Sequence, residues 1–150
     1  MAVERESPGS KHTDLVVDSN TSARLGRIRQ SGTNAELAVR RLVSSLGARY
    51  RVSNRDLPGS PDLANRSKRW AIFVHGCYWH SHENCSRATV PKRNRAFWEA
   101  KFVANRARDA RAILQLRAQG YRVSVVWECE IDGDPPRRVL NRLRHFLVRT

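Results

Sequence analysis

The stretch from Ile72 to Cys85, IFVHGCYWHSHENC, places two cysteines, three histidines and two adjacent large aromatics within fourteen residues, directly after an apolar run. Cysteine and histidine at short spacing are soft and borderline donors suited to a transition metal, and Cys77, His82 and Cys85 read Cys-x4-His-x2-Cys. The remaining cysteine, Cys129, follows a second strand-like run. It would complete four S/N donors, the number that closed, tetrahedral Zn²⁺ sites take. The other reading of Cys129 is a buried core thiol; three neighbours at metal spacing favour zinc. A ligand so distant in sequence would pin the loop to a neighbouring strand. His75 and His80 are then left without a task, and Tyr78 and Trp79 are not needed by a metal knuckle.

Charge points to the partner. The chain carries 28 Lys plus Arg against 14 Asp plus Glu, a formal +14 that is mostly arginine. A net charge of that size costs self-repulsion unless a polyanion uses it, so nucleic acid is expected. Three cysteines and an N-terminus without an apolar signal core argue against a disulfide framework. No run approaches the roughly 20 apolar residues of a membrane span, so a soluble, intracellular protein is expected.

At 150 residues one domain with a real core is expected. Residues 1–20 are polar and aperiodic and read as a flexible tail; residues 21–150 read as the domain. Thr33 or Asn34 caps an amphipathic helix with apolar Leu37, Val39, Leu42, Val43 and Leu46 before a Gly47 stop. Glu36 falls in its first turn, where the helix dipole already favours a carboxylate. Tyr50–Val52 reads as a short strand, Trp70–Val74 as a buried one and Tyr121–Trp127 as a third. A long helix is expected over Ala96–Gln119, its apolar stripe supplied by Phe97, Phe102, Val103, Ala110, Ile113, Leu114 and Leu116. A last helix follows Pro135 and Pro136. The pattern is an α/β domain with a central mixed sheet flanked by helices, where ligand groups gather at strand ends.

Asp62 ends the turn-rich LPGSPD, the kind of place from which metal-dependent nucleases present a carboxylate. The usual (D/E)-x-K partner is missing; Val74-His75-Gly76 stands there instead. Histidine can supply the missing chemistry. His80, on the loop that holds the metal ligands, is suited to act as a general base near neutral pH, and His75 to touch a scissile phosphate. Each has a bland alternative as a loop histidine satisfied locally.

With PGSPD, HGCYWHSHENC, FWEAKFVANRARD and VVWEC in this order, the chain resembles the very short patch repair (Vsr) DNA mismatch endonucleases over residues 20 to 130. The resemblance implies a restriction-endonuclease-like fold stapled by structural zinc. It implies an enzyme that nicks duplex DNA 5′ to the thymine of a T·G mismatch left by 5-methylcytosine deamination. Asp62 and the main-chain carbonyl of Val74 would hold Mg²⁺, Glu36 would hold metal-bound waters, His80 would be the base and His75 would contact the phosphate region. Cys77, His82, Cys85 and Cys129 match the zinc ligands.

Tyr78, Trp79 and Trp98 match the family's aromatic wedge. Unstacking a base step costs a few kcal/mol, which stacking on a ring returns in part at about 1–3 kcal/mol per base. Leu25 matches an apolar wedge from the minor-groove side, and Lys101 and Asn105 match contacts near the mismatch. Arg93, Arg95, Arg106 and Arg108 would bind phosphates. A monomer in the bacterial cytoplasm, associated with the nucleoid and with mismatch-repair and repair-synthesis proteins, is the expected setting. A non-catalytic zinc DNA-binding module, a restriction-like enzyme that cuts matched duplex, and an RNA-binding protein chosen on charge alone are the competing readings.

Overall fold

Residues of WAIFVH alternate between two faces of a sheet, as strand geometry requires. Trp70 and Ile72 join a core with Val39, Val43, Leu63, Val126, Val139 and Leu143, whereas Ala71 and Phe73 join Leu57, Ala64, Leu116 and Tyr121. A strand buried on both sides in this way belongs in the middle of a sheet. The computed structural model, which describes residues 32–132 and 137–149, places it there. The elements are α1 (Asn34–Ser45), β1 (Leu63–Asn65), β2 (Trp70–His75), α2 (Arg95–Ala118), β3 (Arg122–Trp127), α3 (Glu128–Ile131) and α4 (Arg137–Val148). Strand order is β1-β2-β3. β1 is antiparallel to β2, with Leu63 opposite Ile72, and β3 is parallel to it, from Trp70 opposite Arg122 to His75 opposite Trp127. Helices α1 and α4 contribute to the core on one face and α2 to the core on the other. The expected mixed α/β architecture is therefore present.

α1 starts where its sequence says it should. Thr33 Oγ1 accepts from the Glu36 backbone N–H at 3.2 Å while Glu36 Oε2 accepts from the Thr33 N–H at 3.0 Å, a capping box whose N-cap side chain contributes about 1 kcal/mol. Val39 and Val43 are fully buried, but Leu37 is exposed. α4 buries Val139 and Leu143; the two prolines before it lie outside the described residues.

Two expectations fail for identifiable reasons. Tyr50–Val52 is not a strand: only Arg51 pairs, as an isolated bridge to Ala64, because the chain turns at once through Ser53, whose φ is +58°. The pairing partner of β2 is instead Leu63–Asn65. In α2 the buried residues are Trp98, Phe102, Ala112 and Leu116, whereas Val103 and Leu114 are 57% and 63% exposed. This helix carries apolar residues on opposite faces, so its stripe could not be assigned by period alone.

Gly59 sets how closely the Asp62 turn approaches α2. Its φ is +71°, and an added Cβ would stand 2.6 Å from the Ala112 Cβ and 3.2 Å from the Phe73 ring. Gly59→Ala is expected to destabilise the protein by about 2–4 kcal/mol, through left-handed backbone strain and overpacking; a denaturant midpoint within error of wild type would refute this. No helix among the described residues is long and apolar enough to cross a membrane.

Candidate active site and metal cluster

The C-terminal end of β2, the first turn of α1 and the end of β3 meet at one edge of the sheet. Asp62 immediately precedes β1, and the antiparallel register carries it to the end of β2, where its Oδ2 accepts from the Val74 backbone N–H at 2.6 Å. Glu36 is 5% exposed and has Arg40 Nη2 at 3.8 Å from its Oε1. Burial, then the hydrogen bond and negative charge of Glu36, push the Asp62 carboxyl up to about 7 despite the Val74 N–H and Arg40. Two carboxyls share one poorly hydrated place, which is the condition a hard cation relieves.

On the other side of the β2 end, the loop after His75 winds back over the strand. His80 N–H donates to Gly76 O, Ser81 N–H to Tyr78 O and His82 N–H to Cys77 O, at 3.0–3.2 Å. This tight winding lays the His80 ring on the His75 ring, centroids 3.9 Å apart and planes 1° from parallel. His80 Nδ1 meets Asp109 Oδ2 at 2.5 Å. Asp109 is half-buried; burial raises its carboxyl, but the hydrogen bond and charge of His80 more than offset that and leave it below its ordinary value. Burial, then the charge of His80, pushes His75 down to about 4, so His75 is neutral at physiological pH. His75, His80 and Asp109 offer three ligand atoms within 4.8 Å of one another. The stacked rings aim their nitrogen lone pairs in parallel planes, however, so both cannot converge on an ion without breaking the stack. The arrangement suits proton transfer better than metal binding.

Asp109 carries no role in the sequence-based expectations, although it ends the motif FWEAKFVANRARD. The available signal was that, beyond Glu99, Asp109 is the one acidic residue in the arginine-rich α2.

The Cys/His cluster forms as expected. Ligand atoms of Cys77, His82, Cys85 and Cys129 all lie within 4.8 Å of one another; a tetrahedral site with Zn–S of about 2.3 Å needs ligands about 3.8 Å apart. Cys129 Sγ is 3.4 Å from His82 Nδ1, and the Cys129 backbone N–H donates to Cys77 Sγ at 3.4 Å. Burial raises Cys77. Burial and the crowding of Cys77 and Cys85 push Cys129 up to about 12, whereas the backbone N–H of Arg87 helps hold Cys85 low. Three crowded thiols and one imidazole are a soft donor set that a zinc-like cation fits. His82 also stacks on Trp127, at 4.0 Å and 7°, and the same indole meets His75 edge-on at 5.2 Å. Trp127, to which sequence reasoning gave no role, thus joins the cysteine cluster to the histidine pair.

The aromatics pack with one another. Tyr78 contacts Trp79, Trp98 and Phe102 at 5.2, 6.0 and 5.4 Å. Trp98 is 5% exposed, so it backs the half-buried Tyr78 and Trp79 rather than presenting a free ring. Lys101 Nζ lies 5.6–5.9 Å from the Phe97, Trp98 and Trp79 rings, and Asn105 Nδ2 donates to Trp79 O at 3.0 Å. Arg95 pairs with Glu99, Arg106 lies 3.9 Å from Glu83, and Arg108 lies 3.9 Å from Asp109. Arg93 is on the loop before α2, and Leu25 lies outside the described residues.

A family model described as DNA mismatch endonuclease Vsr matches residues 13–87, half of the chain. That span holds Glu36, Asp62, Val74, His75, His80 and three of the four Cys/His ligands, and stops before Cys129. The chain is similar to the type II nicking enzyme V.XorIIP of Xanthomonas oryzae pv. oryzae, 43% identical over 119 residues, which cover 79% of this chain and 87% of that protein. It is similar to the type II nicking enzyme V.NmeAIP of Neisseria meningitidis, 35% identical over 132 residues, with 87% and 94% covered. With the DNA mismatch endonuclease Vsr of Escherichia coli K12 it is 38% identical over 120 residues, with 80% and 76% covered.

Proposed function

Since this chain belongs to the family of the DNA mismatch endonuclease Vsr, we propose that it hydrolyses one phosphodiester of duplex DNA on the 5′ side of the thymine in a T·G mismatch. In this reading the three-stranded sheet and its flanking helices are the restriction-endonuclease-like core. The observation that carries the chemistry is the Asp109–His80–His75 arrangement at the same end of β2 as the half-buried Asp62 and buried Glu36 carboxyls.

Each residue follows from its surroundings. Asp62, with the Val74 carbonyl, would hold Mg²⁺, which when bound neutralises phosphoryl charge and acidifies water; their oxygen donors fit such a hard cation. Asp109 engages Nδ1 of His80, which leaves Nε2 to accept a proton from the attacking water. Neutral His75 keeps the stack free of like charge and can donate to a phosphate oxygen. Glu36, one oxygen of which is occupied by the Thr33 cap, orients water with the other. Tyr78 and Trp79 would enter the duplex at the mismatch, where an unstable pair resists unstacking least, with Trp98 behind them. Lys101 and Asn105 stand beside that wedge, and Arg93, Arg95, Arg106 and Arg108 would meet phosphates. The four Cys/His side chains would hold structural Zn²⁺.

The test is a nicking assay with Mg²⁺ on end-labelled duplexes that differ only by T·G or T·A, in CC(A/T)GG-like and other methylation contexts. A single cut 5′ to the mismatched thymine, absent from T·A and from Asp62→Ala, supports the reading. Tight mismatch binding without cleavage in any context or metal would instead indicate a binding module, and cleavage of both strands of matched duplex would indicate a restriction-like enzyme.

A pH dependence follows from Asp62. Its carboxyl is raised to about 7 and must lose its proton to bind a cation, so proton and metal compete below pH 7 and not above it. The Mg²⁺ concentration for half-maximal nicking should rise about fivefold from pH 7 to 6 and stay flat from pH 8 to 9. Equal Mg²⁺ requirements at pH 6 and 8 would contradict it.

A further inference from the structure

At the sheet end farthest from the histidine pair, a groove of about 470 Å³ opens between the C-terminus of α1, the start of β2 and the last turn of α4. Its floor is apolar, formed by Leu46 and Leu147 over the buried Trp70, and Arg49, Lys68 and Arg144 stand on its rim. All three cations are exposed. Among the described residues none of the three is in an ion pair or donates a side-chain hydrogen bond that the structure records, and no carboxylate lines the groove. Three like charges left together around an apolar cleft cost self-repulsion that an acidic occupant would remove.

Distance separates this groove from the candidate active site. Asp62 and His75 are at the far end of β2 and Glu36 at the far end of α1. Six strand residues and twelve helical residues span about 17 and 18 Å, beyond the roughly 8 Å Debye length at physiological salt. The three cations therefore take no part in the chemistry at the histidine end. Nor does the floor suit a nucleic acid: Trp70 is 1% exposed and offers no face on which a base could stack. A concave apolar floor with cations on its rim instead matches a protein segment that places one or two large apolar side chains among carboxylates.

We propose that this groove docks an acidic, leucine-type segment of a partner protein, weakly and without displacing DNA. The probe is a fluorescein-labelled peptide EDELLDE and its counterpart EDESSDE, titrated by anisotropy with the full chain at physiological salt. EDELLDE should bind saturably, and EDESSDE about tenfold more weakly, the cost of losing an apolar anchor. Lys68→Glu combined with Arg144→Glu should weaken EDELLDE by about tenfold, with nicking unchanged, because both positions are exposed and far from the chemistry. Binding should persist when the protein is saturated with T·G duplex. Displacement by duplex, or an equal loss of duplex affinity in the double variant, would make the groove a DNA contact and overturn the proposal. Equal binding of EDESSDE, or no saturable binding, would also overturn it. The peptide measurements do not depend on the chain being a mismatch nickase, so failure of that reading and failure of this one are separable.

Discussion

His80→Ala should slow nicking of a T·G duplex by about 10²–10⁴-fold, the range for loss of a positioned general base, and leave duplex affinity almost unchanged. His80 is only partly buried, and among the described residues its side-chain hydrogen bond is to Asp109, so removing the imidazole deletes a proton acceptor without emptying a core. Asp109→Asn should cost at least about tenfold and less than His80→Ala, because an amide can hold the ring but can also favour the wrong tautomer. Groups that act as a unit are not additive. The double variant should therefore be no slower than His80→Ala. Single-turnover rates across pH, with binding measured separately, decide the matter. If Asp109→Asn keeps the wild-type rate and pH profile, the short contact is structural. If the double variant is slower by the product of the two single losses, the residues work independently.

Period and capping explain why so much of the frame could be read in advance. Thr33 and Glu36 mark the start of α1 through reciprocal hydrogen bonds that are local in sequence. The apolar run at Trp70 announces a central strand because both of its faces are buried. The three-residue β1 carries no such signal; its strand character comes from pairing with β2. In α2, Val103 and Leu114 matched a helical stripe as well as Phe102 and Leu116 did, and packing rather than period decided which face was buried. The site divides similarly. Cys77, His82 and Cys85 announce themselves by spacing, and Cys129 could be added because few cysteines remained to consider. Asp109 and Trp127 act across 29 and 45 residues on His80 and His82, and neither residue type is unusual in a helix or a strand. A resemblance in motif order supplied roles that no single spacing contained, but the stacking of His75 on His80 needed coordinates.

Removing one ligand of the proposed zinc should have the most widespread effect. Tyr78, Trp79 and His80 lie between Cys77 and His82, on a loop held by a few backbone hydrogen bonds and by the Cys/His cluster. The two sides of that cluster come from different places, the loop after β2 and the short α3. α3 is itself anchored: Arg142 of α4 forms a fork on Glu130 at 2.7 and 3.0 Å and also reaches Val125 O. Metal ligation would tie the loop to this fixed point. Structural zinc contributes about 10–16 kcal/mol in small domains, as much as the whole stability of an ordinary one, so local hydrogen bonds cannot compensate for its loss. Cys129→Ser should lower bound zinc well below the one equivalent expected for wild type, reduce the melting temperature by about 10 °C or more and abolish nicking. The histidine pair would fail with the fold of the loop, although Glu36 keeps its place on α1 and Asp62 its place just before β1. Metal analysis, melting and nicking on the same preparation test this together. Full zinc content and an unchanged melting temperature in Cys129→Ser would make Cys129 a core thiol and the remaining three side chains an incomplete site.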